Sequence, residues 1–542
     1  MLRPRMDVME RVMGYTGNAI KIQLGEFGLL TDAASDSIPA GALINSKNIC
    51  YFNGTVQKAP GSLLWNASAL PAGIVAVHDW LPTTVIRRMI AVTSDGEIYK
   101  GQDRIFNASP MNTSLGALTP NCQFVEGGAE IAGRDKKLFL FTGGVTNPYI
   151  LDGDSNSFTE ITSPNVDWSA NNYPRFGLVH RNRLWAFAGQ LSYASNTGDH
   201  ENFTSGSLTD PVYPGEGGNL EGAFVYKGRL FAYKDGGFAY LLVDTDTSDV
   251  NWYWIKISSN FGLSAPNAIA EVLDNLFAGN DTGTITDYGA TEKLGSVEAG
   301  DLLQITQIEN HLRGNSSKVG LSEQHLYYYA EKKILFATYR SGYFTYNDML
   351  LAFDFGKLSR VRTSFWVKGS PQCLASYRGN HNIKVPMYGD KDGFVHIMDY
   401  EDRLEGATAY EGSFQIPHID FSQQDPKLGA KEKHFDQLAV HYVPESTGDL
   451  LCDYYIDGRY VDTLTFPMSQ YKASELGTLV LNTDRLGQNN SETVLRPLAG
   501  SGRTFSARFY NAGSNESFQI NAITVMFRTG GEKAQQVTTG GK

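Results

Sequence analysis

Several catalytic signatures are missing from this chain. It has no Cys-x-x-Cys pair, no phosphate-binding Walker loop, no Gly-x-Ser-x-Gly elbow and no His-Glu-x-x-His helix. Zinc ribbons, nucleotide hydrolysis of the Walker type, α/β-hydrolase chemistry and zincin chemistry are therefore not indicated. The four cysteines (Cys50, Cys122, Cys373, Cys452) lie far apart in sequence and read as buried thiols. No stretch approaches the ~20 consecutive apolar residues that a membrane-spanning helix needs. The opening "MLRPRMDVMERVMGYTGN" carries charges throughout and lacks the apolar core of a secretory signal. Nine Asn-x-Ser/Thr sequons, among them Asn53, Asn66 and Asn107, therefore read as polar turns. Cationic surplus is absent too. A formal charge of −12 at pH 7 argues against a protein that binds nucleic acid by neutralising phosphates.

Long Ala/Glu/Lys/Leu helical runs are missing, while 56 glycines and 12% aromatics favour tight turns and pleated strands. The class this indicates is all-β. Within it, one unit recurs. "RDKKLFLFTGG", "HRNRLWAFAGQ", "VYKGRLFAYKD", "EVLDNLFAGND" and "AEKKILFATYR" each run from a polar turn through Leu or Ile into alternating apolar residues and a Gly/Asp/Asn break. Their anchors are Leu138, Leu184, Leu230, Leu276 and Ile334; the first three intervals are 46 residues each and the fourth is 58. Weaker copies place Met89 before and Ile383 after the series, so that seven units span about residues 71–405.

A fixed period in the forties, with several short strands per unit, is the pattern of a β-propeller. A four-stranded meander cannot hide both faces alone, so blades stack around an axis. Alternation then puts Leu184, Ala186 and Ala188 on one face of a strand and Trp185 and Phe187 on the other, both buried between neighbours. Seven blades are expected, or six if a terminal copy has diverged. After residue 405 the texture changes, and all seven tryptophans fall between Trp65 and Trp366. Residues 406–530 alternate as strands, with an Asp457-Gly458 hairpin turn, and predict a β-sandwich of six to eight strands. Residues 531–542 read as a flexible tail. Residues 1–70 read as a separate arm and lead-in, with a hairpin at Asn53-Gly54 whose strands are placed to complete the last blade, and residues 1–20 left for a partner.

Chemistry is sparse. "GEGGNLEG" (215–222) lacks the strand–helix context of a phosphate loop. Asp152/Asp154, Asp244/Asp246/Asp249 and Asp390/Asp392 have calcium-loop spacing, but no downstream Glu or fixed Gly follows, and inter-strand turns use the same residues. "TSDGEIYKG" is only slightly like a sialidase Asp box, with Tyr99 out of place for its Trp. His180 and His325 fall at strand ends without metal-ligand spacing. No catalytic, cofactor-binding or metal-ligating residue is assigned, no cofactor is implied, and the chain does not read as an enzyme.

The lead-in from Leu29 to Gly61, with "GLLTD" and "IPAGALINSKNICYFNGTVQKAPG", then "LSYASNTGDHENF" and loosely "AKEKHFDQLAVHY", resembles the tail nozzle proteins of short-tailed bacteriophages, also called tail tubular proteins B or tail hub proteins. The resemblance implies a structural virion component assembled in the host cytoplasm. It implies a homohexameric ring or tube beneath the portal–adaptor complex, with tail fibre or tip proteins as further partners. DNA would pass through the lumen during ejection without specific binding, and there would be no membrane insertion. Six chains at −12 each carry a formal −72, which would repel phosphate over the ~8 Å that physiological salt allows. The rival from another class is a propeller that hydrolyses host glycans or binds them as a lectin-like receptor protein. That rival requires a carboxylate pair or an aromatic cluster at one channel mouth.

Overall fold

The computed structural model describes residues 17–529 except 33–37, 53, 84–85, 114, 129–135, 162–167, 171, 205–206, 235–237, 247, 259–261, 281–282, 288–299, 302–317, 358–359, 380–382, 401–402, 444–447 and 469–491. Two compact units result, one of residues 60–409 and one that joins residues 1–59 to 410–542.

Residues 60–409 form a seven-bladed β-propeller, one antiparallel meander per blade. The blades open with Ile74–Trp80, Gln123–Gly127, Phe176–His180, Leu220–Tyr226, Ile269–Val272, Leu326–Tyr329 and Pro371–Arg378. Six blades draw their strands from consecutive sequence. The seventh takes Pro371–Arg378, Lys384–Asp390 and Val395–Tyr400, then completes itself with Gly61–Leu64 from the start of the unit. His396 pairs with Leu64 and Ile397 with Leu63, so the ring is closed by a strand more than three hundred residues upstream. Such closure ties the two ends of the propeller's chain together in one blade, and Leu404–Glu405 pairs in parallel with the far side of the closing strand.

The repeat is explained by packing between second strands. Lys137–Phe141, Arg183–Ala188, Arg229–Lys234 and Asn275–Gly279 each carry their anchor leucine second, fully buried. The anchor side faces the preceding blade and the aromatic side faces the following one. Leu184, Ala186 and Ala188 join Phe139 and Phe141 of blade 2, while Trp185 and Phe187 join Leu230 and Ala232 of blade 4. Blade 4 repeats the rule, with Phe231 and Tyr233 meeting Leu276 and Ala278 of blade 5. Large rings on one strand thus fill hollows left by alanines on the next, which is how a core reaches crystal-like density. A Cβ on Gly177 would come within 2.2 Å of the Phe141 ring, so the innermost strand of blade 3 uses glycine to let that ring in.

Turn chemistry fixes the register of these units. Arg181-Asn182, Lys227-Gly228 and Leu273-Asp274 link first and second strands through pairs with φ between 48° and 74°. Two successive left-handed residues give the hairpin twist that matches the strands. The seventh anchor is corrected by the structure. Ile383 is exposed and precedes its strand, and the second residue of Lys384–Asp390, Val385, packs into the core shared by blades 7 and 1.

The other unit is a β-sandwich made from both ends of the described chain. One sheet has seven strands, with Gln519–Thr529 between Asn18–Gln23, Thr55–Lys58 and Lys433–Val443; the other has five, including Asp449–Ile456 and Phe505–Asn511. Phe435 of the first sheet meets Phe505 of the second at 5.4 Å between ring centres. The Asp457-Gly458 turn forms as expected, with φ of 49° and 77°. Two expectations shift. The lead-in is not a separate arm, because Asn18–Gln23, Asn45–Lys47 and the hairpin of Ile49–Phe52 and Thr55–Lys58 are strands of the sandwich. The closing strand of the propeller comes just after that hairpin, not from it. The first sixteen residues of the expected arm and the expected tail at 531–542 lie outside the described residues.

Candidate functional site

Each Asp-rich segment resolves into a turn or an ion pair. Asp154 accepts both arms of the Arg88 guanidinium (3.0 and 2.8 Å) and also faces the Lys100 ammonium. Asp246 caps Ser248 N–H and the Asn251 amide, each at 2.9 Å, and Asp249 pairs with Arg183. Asp390 receives the N–H groups of Asp392 and Phe394 at 2.9 and 2.7 Å. Burial pushes the Asp244 carboxyl up, but Arg181 at 2.9 Å and His180 at 2.6 Å outweigh it and hold it below the usual range. These carboxylates spend their acceptors on cations and turn donors of the chain itself. In the segment 215–222 the Glu216 carbonyl, together with that of Tyr213 just before it, accepts from Lys234 Nζ, both at 2.8 Å. In the Asp-box-like stretch, Asp95 caps the Thr93 hydroxyl at 2.6 Å, and Tyr99 is buried between blades 1 and 7.

Two clusters that sequence reasoning did not find dominate the polar interior. The first lies where innermost strands begin. His325 Nε2 meets the Pro120 carbonyl at 2.6 Å, and Leu374 N–H donates weakly to His325 Nδ1 at 3.4 Å. Asn267 Nδ2 donates to the carbonyls of Pro120 and Cys122, both at 3.2 Å, and lies 3.3 Å from His325 Nε2. Pro120 and Cys122 enter blade 2, Asn267 enters blade 5, His325 enters blade 6 and Leu374 belongs to blade 7. Bonds between blades 2 and 5 reach across a ring of seven, so these groups bridge the propeller axis. Burial pulls His325 down to about 4 against the bond to Pro120, which acts the other way. The imidazole is therefore neutral in the folded state and must charge on unfolding in acid. The stability it secures is fully present above the ordinary histidine value of ~6.5 and is lost as pH falls from there toward 4. His325→Gln should flatten the decline of unfolding free energy across that window by roughly 2–3 kcal/mol, read from urea titrations at stepped pH.

The second cluster lies in blade 7 around the closing strand. Ser62 Oγ is 2.9 Å from His396 Nδ1, and His396 Nε2 is 3.0 Å from Asp390 Oδ2. That order of groups is superficially a nucleophile–base–acid relay. The surroundings argue otherwise. Ser62 is 1% exposed, donates its proton to Glu405 Oε1 at 2.7 Å and accepts from Gly406 N–H. With its hydroxyl directed to Glu405 and its oxygen taking the Gly406 N–H, Ser62 is engaged by its own chain and is not presented to His396 as a nucleophile awaiting a base. Glu405 also accepts the Tyr388 hydroxyl and pairs with Lys368 at 2.9 Å, while Lys368 donates to the Pro60 carbonyl. Tyr388 and His396 stack 4.5 Å apart. Burial would lift the Glu405 carboxyl, yet Lys368, His396 and the Tyr388 bond together hold it below its ordinary value. The cluster therefore pins Pro60 and Ser62 to blade 7.

No protein-family profile matches the chain, and no curated protein does. Solved structures with similar folds include YCF48 from Cyanidioschyzon merolae, 12% identical, with 63% of this chain and 98% of that one covered and a TM-score of 0.37. The BBS1N–ARL6DN complex is 10% identical over 61% and 94%, with a TM-score of 0.40. An exo-β-1,3-galactanase from Phanerochaete chrysosporium is 9% identical over 86% and 100%, with a TM-score of 0.27. Likeness at these values carries no functional inference. Among the described residues, no helix is long and apolar enough to cross a membrane.

Proposed function

We propose that this chain is an architectural, non-enzymatic component of the tail of a short-tailed bacteriophage. In this reading it is a nozzle subunit that forms a ring or tube of about six copies beneath the portal and adaptor and carries fibre or tip proteins. The observation that supports it most is where the resembling lead-in goes. "NICYFNGTVQKAPG" builds strands of the sandwich up to Lys58, and the residues immediately following close the propeller. The resembling lead-in is therefore the segment through which the chain passes from the sandwich into the propeller. Lys58 is fully buried and donates to Asn511 at 3.2 Å and to the Gly513 carbonyl at 3.3 Å. The bridged axis adds a constraint: DNA would run through a lumen enclosed by several copies and not through any one propeller.

Electron microscopy of the full chain, alone and mixed with an adaptor ring, tests this. Six-fold rings or tubes seated on the adaptor are expected. A chain that ignores the adaptor at micromolar concentration and instead cleaves or binds host glycans overturns the reading in favour of the hydrolase or lectin.

A further inference from the structure

At the outer edge of blades 3 and 4 is a cleft of about 380 Å³. Asp210, Pro211 and Tyr213 line it from the last strand of blade 3 and the loop that follows, and Trp252, Tyr253 and Trp254 line it from the last strand of blade 4 and the residue before it. Tyr253 is 55% exposed, and Val250, three residues earlier in the chain, is more exposed still. Asp210 differs from the other enclosed carboxylates of the propeller. Asp79, Asp154, Asp244, Asp354 and Glu405 each hold a cation. The Asp210 carboxylate has no ion pair and no hydrogen-bond donor among the described residues, and burial alone pushes its carboxyl up. Two cations of blade 4 are engaged elsewhere, Lys234 with backbone carbonyls and Lys256 with Glu216 at 3.0 Å.

We propose that this cleft binds an arginine side chain presented by a partner polypeptide. A half-enclosed carboxylate without a counter-ion supplies the charge, and the exposed Tyr253 ring, with the partly buried Trp252 and Tyr213, supplies π surface for a planar guanidinium, while Trp254 is buried in the core. Charge separates this from a sugar site, which would also suit aromatics and an acid. Both indole N–H groups are spent, Trp252 on the Asp246 carbonyl and Trp254 on Ser192 Oγ, each at 3.1 Å, which leaves the Tyr213 and Tyr253 hydroxyls of the lining as donors for a sugar. A guanidinium brings only donors and a full positive charge, and so answers a carboxylate without a counter-ion as a neutral sugar does not. The proposal does not depend on the tail reading, since the cleft lies within the propeller.

The test titrates the full chain with acetyl-Gly-Arg-Gly-amide while following tryptophan fluorescence, because Trp252 and Trp254 line the cleft. Acetyl-Gly-Lys-Gly-amide and methyl β-galactoside serve as comparisons. The arginine probe should give a saturable change that weakens with added salt and is about tenfold weaker in Asp210→Asn and in Tyr253→Ala. Asp210→Asn removes an uncompensated charge, so its melting temperature should be unchanged or higher, and lost binding would not reflect misfolding. The proposal is overturned by equal arginine affinity in wild type and Asp210→Asn, by a galactoside response, or by no saturable response at about 100 mM probe.

Discussion

Glu405→Ala should lower the stability of the propeller by about 3–5 kcal/mol, the cost of stranding a buried charge. Lys368 would keep its bond to the Pro60 carbonyl but lose its carboxylate, and the Ser62 and Tyr388 hydroxyls would lose their shared acceptor. The damage falls on Gly61–Leu64, where ring closure depends on one short strand. Urea unfolding followed by tryptophan fluorescence reads it, because buried Trp65 directly follows that strand. Lys368→Met combined with Glu405→Leu should recover part of the loss, since no charge is then stranded, while the Pro60 carbonyl and the Ser62 and Tyr388 hydroxyls still lose their partners. The pH dependence has a definite sign. A carboxyl held below its ordinary value stabilises the fold above the unfolded pKa of ~4.3, and that contribution disappears as pH falls through the folded value. Wild type should therefore lose latch stability in acid, and the apolar double variant should not. A cost under about 1 kcal/mol for Glu405→Ala would mean that strand pairing alone holds the ring shut.

What was legible in the sequence is what local alternation encodes. Leu138, Leu184, Leu230 and Leu276 could be aligned because each sits at the same place in a strand whose two faces differ in bulk. The closing strand "GSLL" could not be found this way: it has four residues, no alternation, and a partner defined only by the finished ring. Ile383 misled because apolar character was read where strand register should have been. The buried lysines were equally hidden. Nothing in the sequence marks Lys58, Lys100, Lys234 and Lys433 as buried, yet each ammonium is enclosed by backbone carbonyls or side-chain acceptors. Such sites depend on where a neighbouring loop falls, and local periodicity carries no information about that. His325 was seen as a strand-end residue, which it is, but its partners at 120, 267 and 374 come from three other blades.

Trp185→Ala should cost about 3–5 kcal/mol, the range for removing a large buried ring. Trp185 is fully buried in the second strand of blade 3, stacked on Trp252 and edge-on to Trp254, both at 6.3 Å, with its indole N–H on the His180 carbonyl at 3.2 Å. Its loss would open a void against blade 4 at the level of Leu230 and Ala232. The reciprocal change, Ala232→Leu, should cost about 1–3 kcal/mol by overfilling the hollow that Trp185 and Phe187 occupy. If large-into-small packing sets the blade spacing, Trp185→Ala with Ala232→Leu should be less damaging than the sum of the two, with a coupling of roughly 1–2 kcal/mol in a double-mutant cycle. Strict additivity would mean the two blades rest on each other without interlocking. The 46-residue period would then reflect hairpin geometry alone, with no part played by the meshing of one blade's rings into the next blade's alanines.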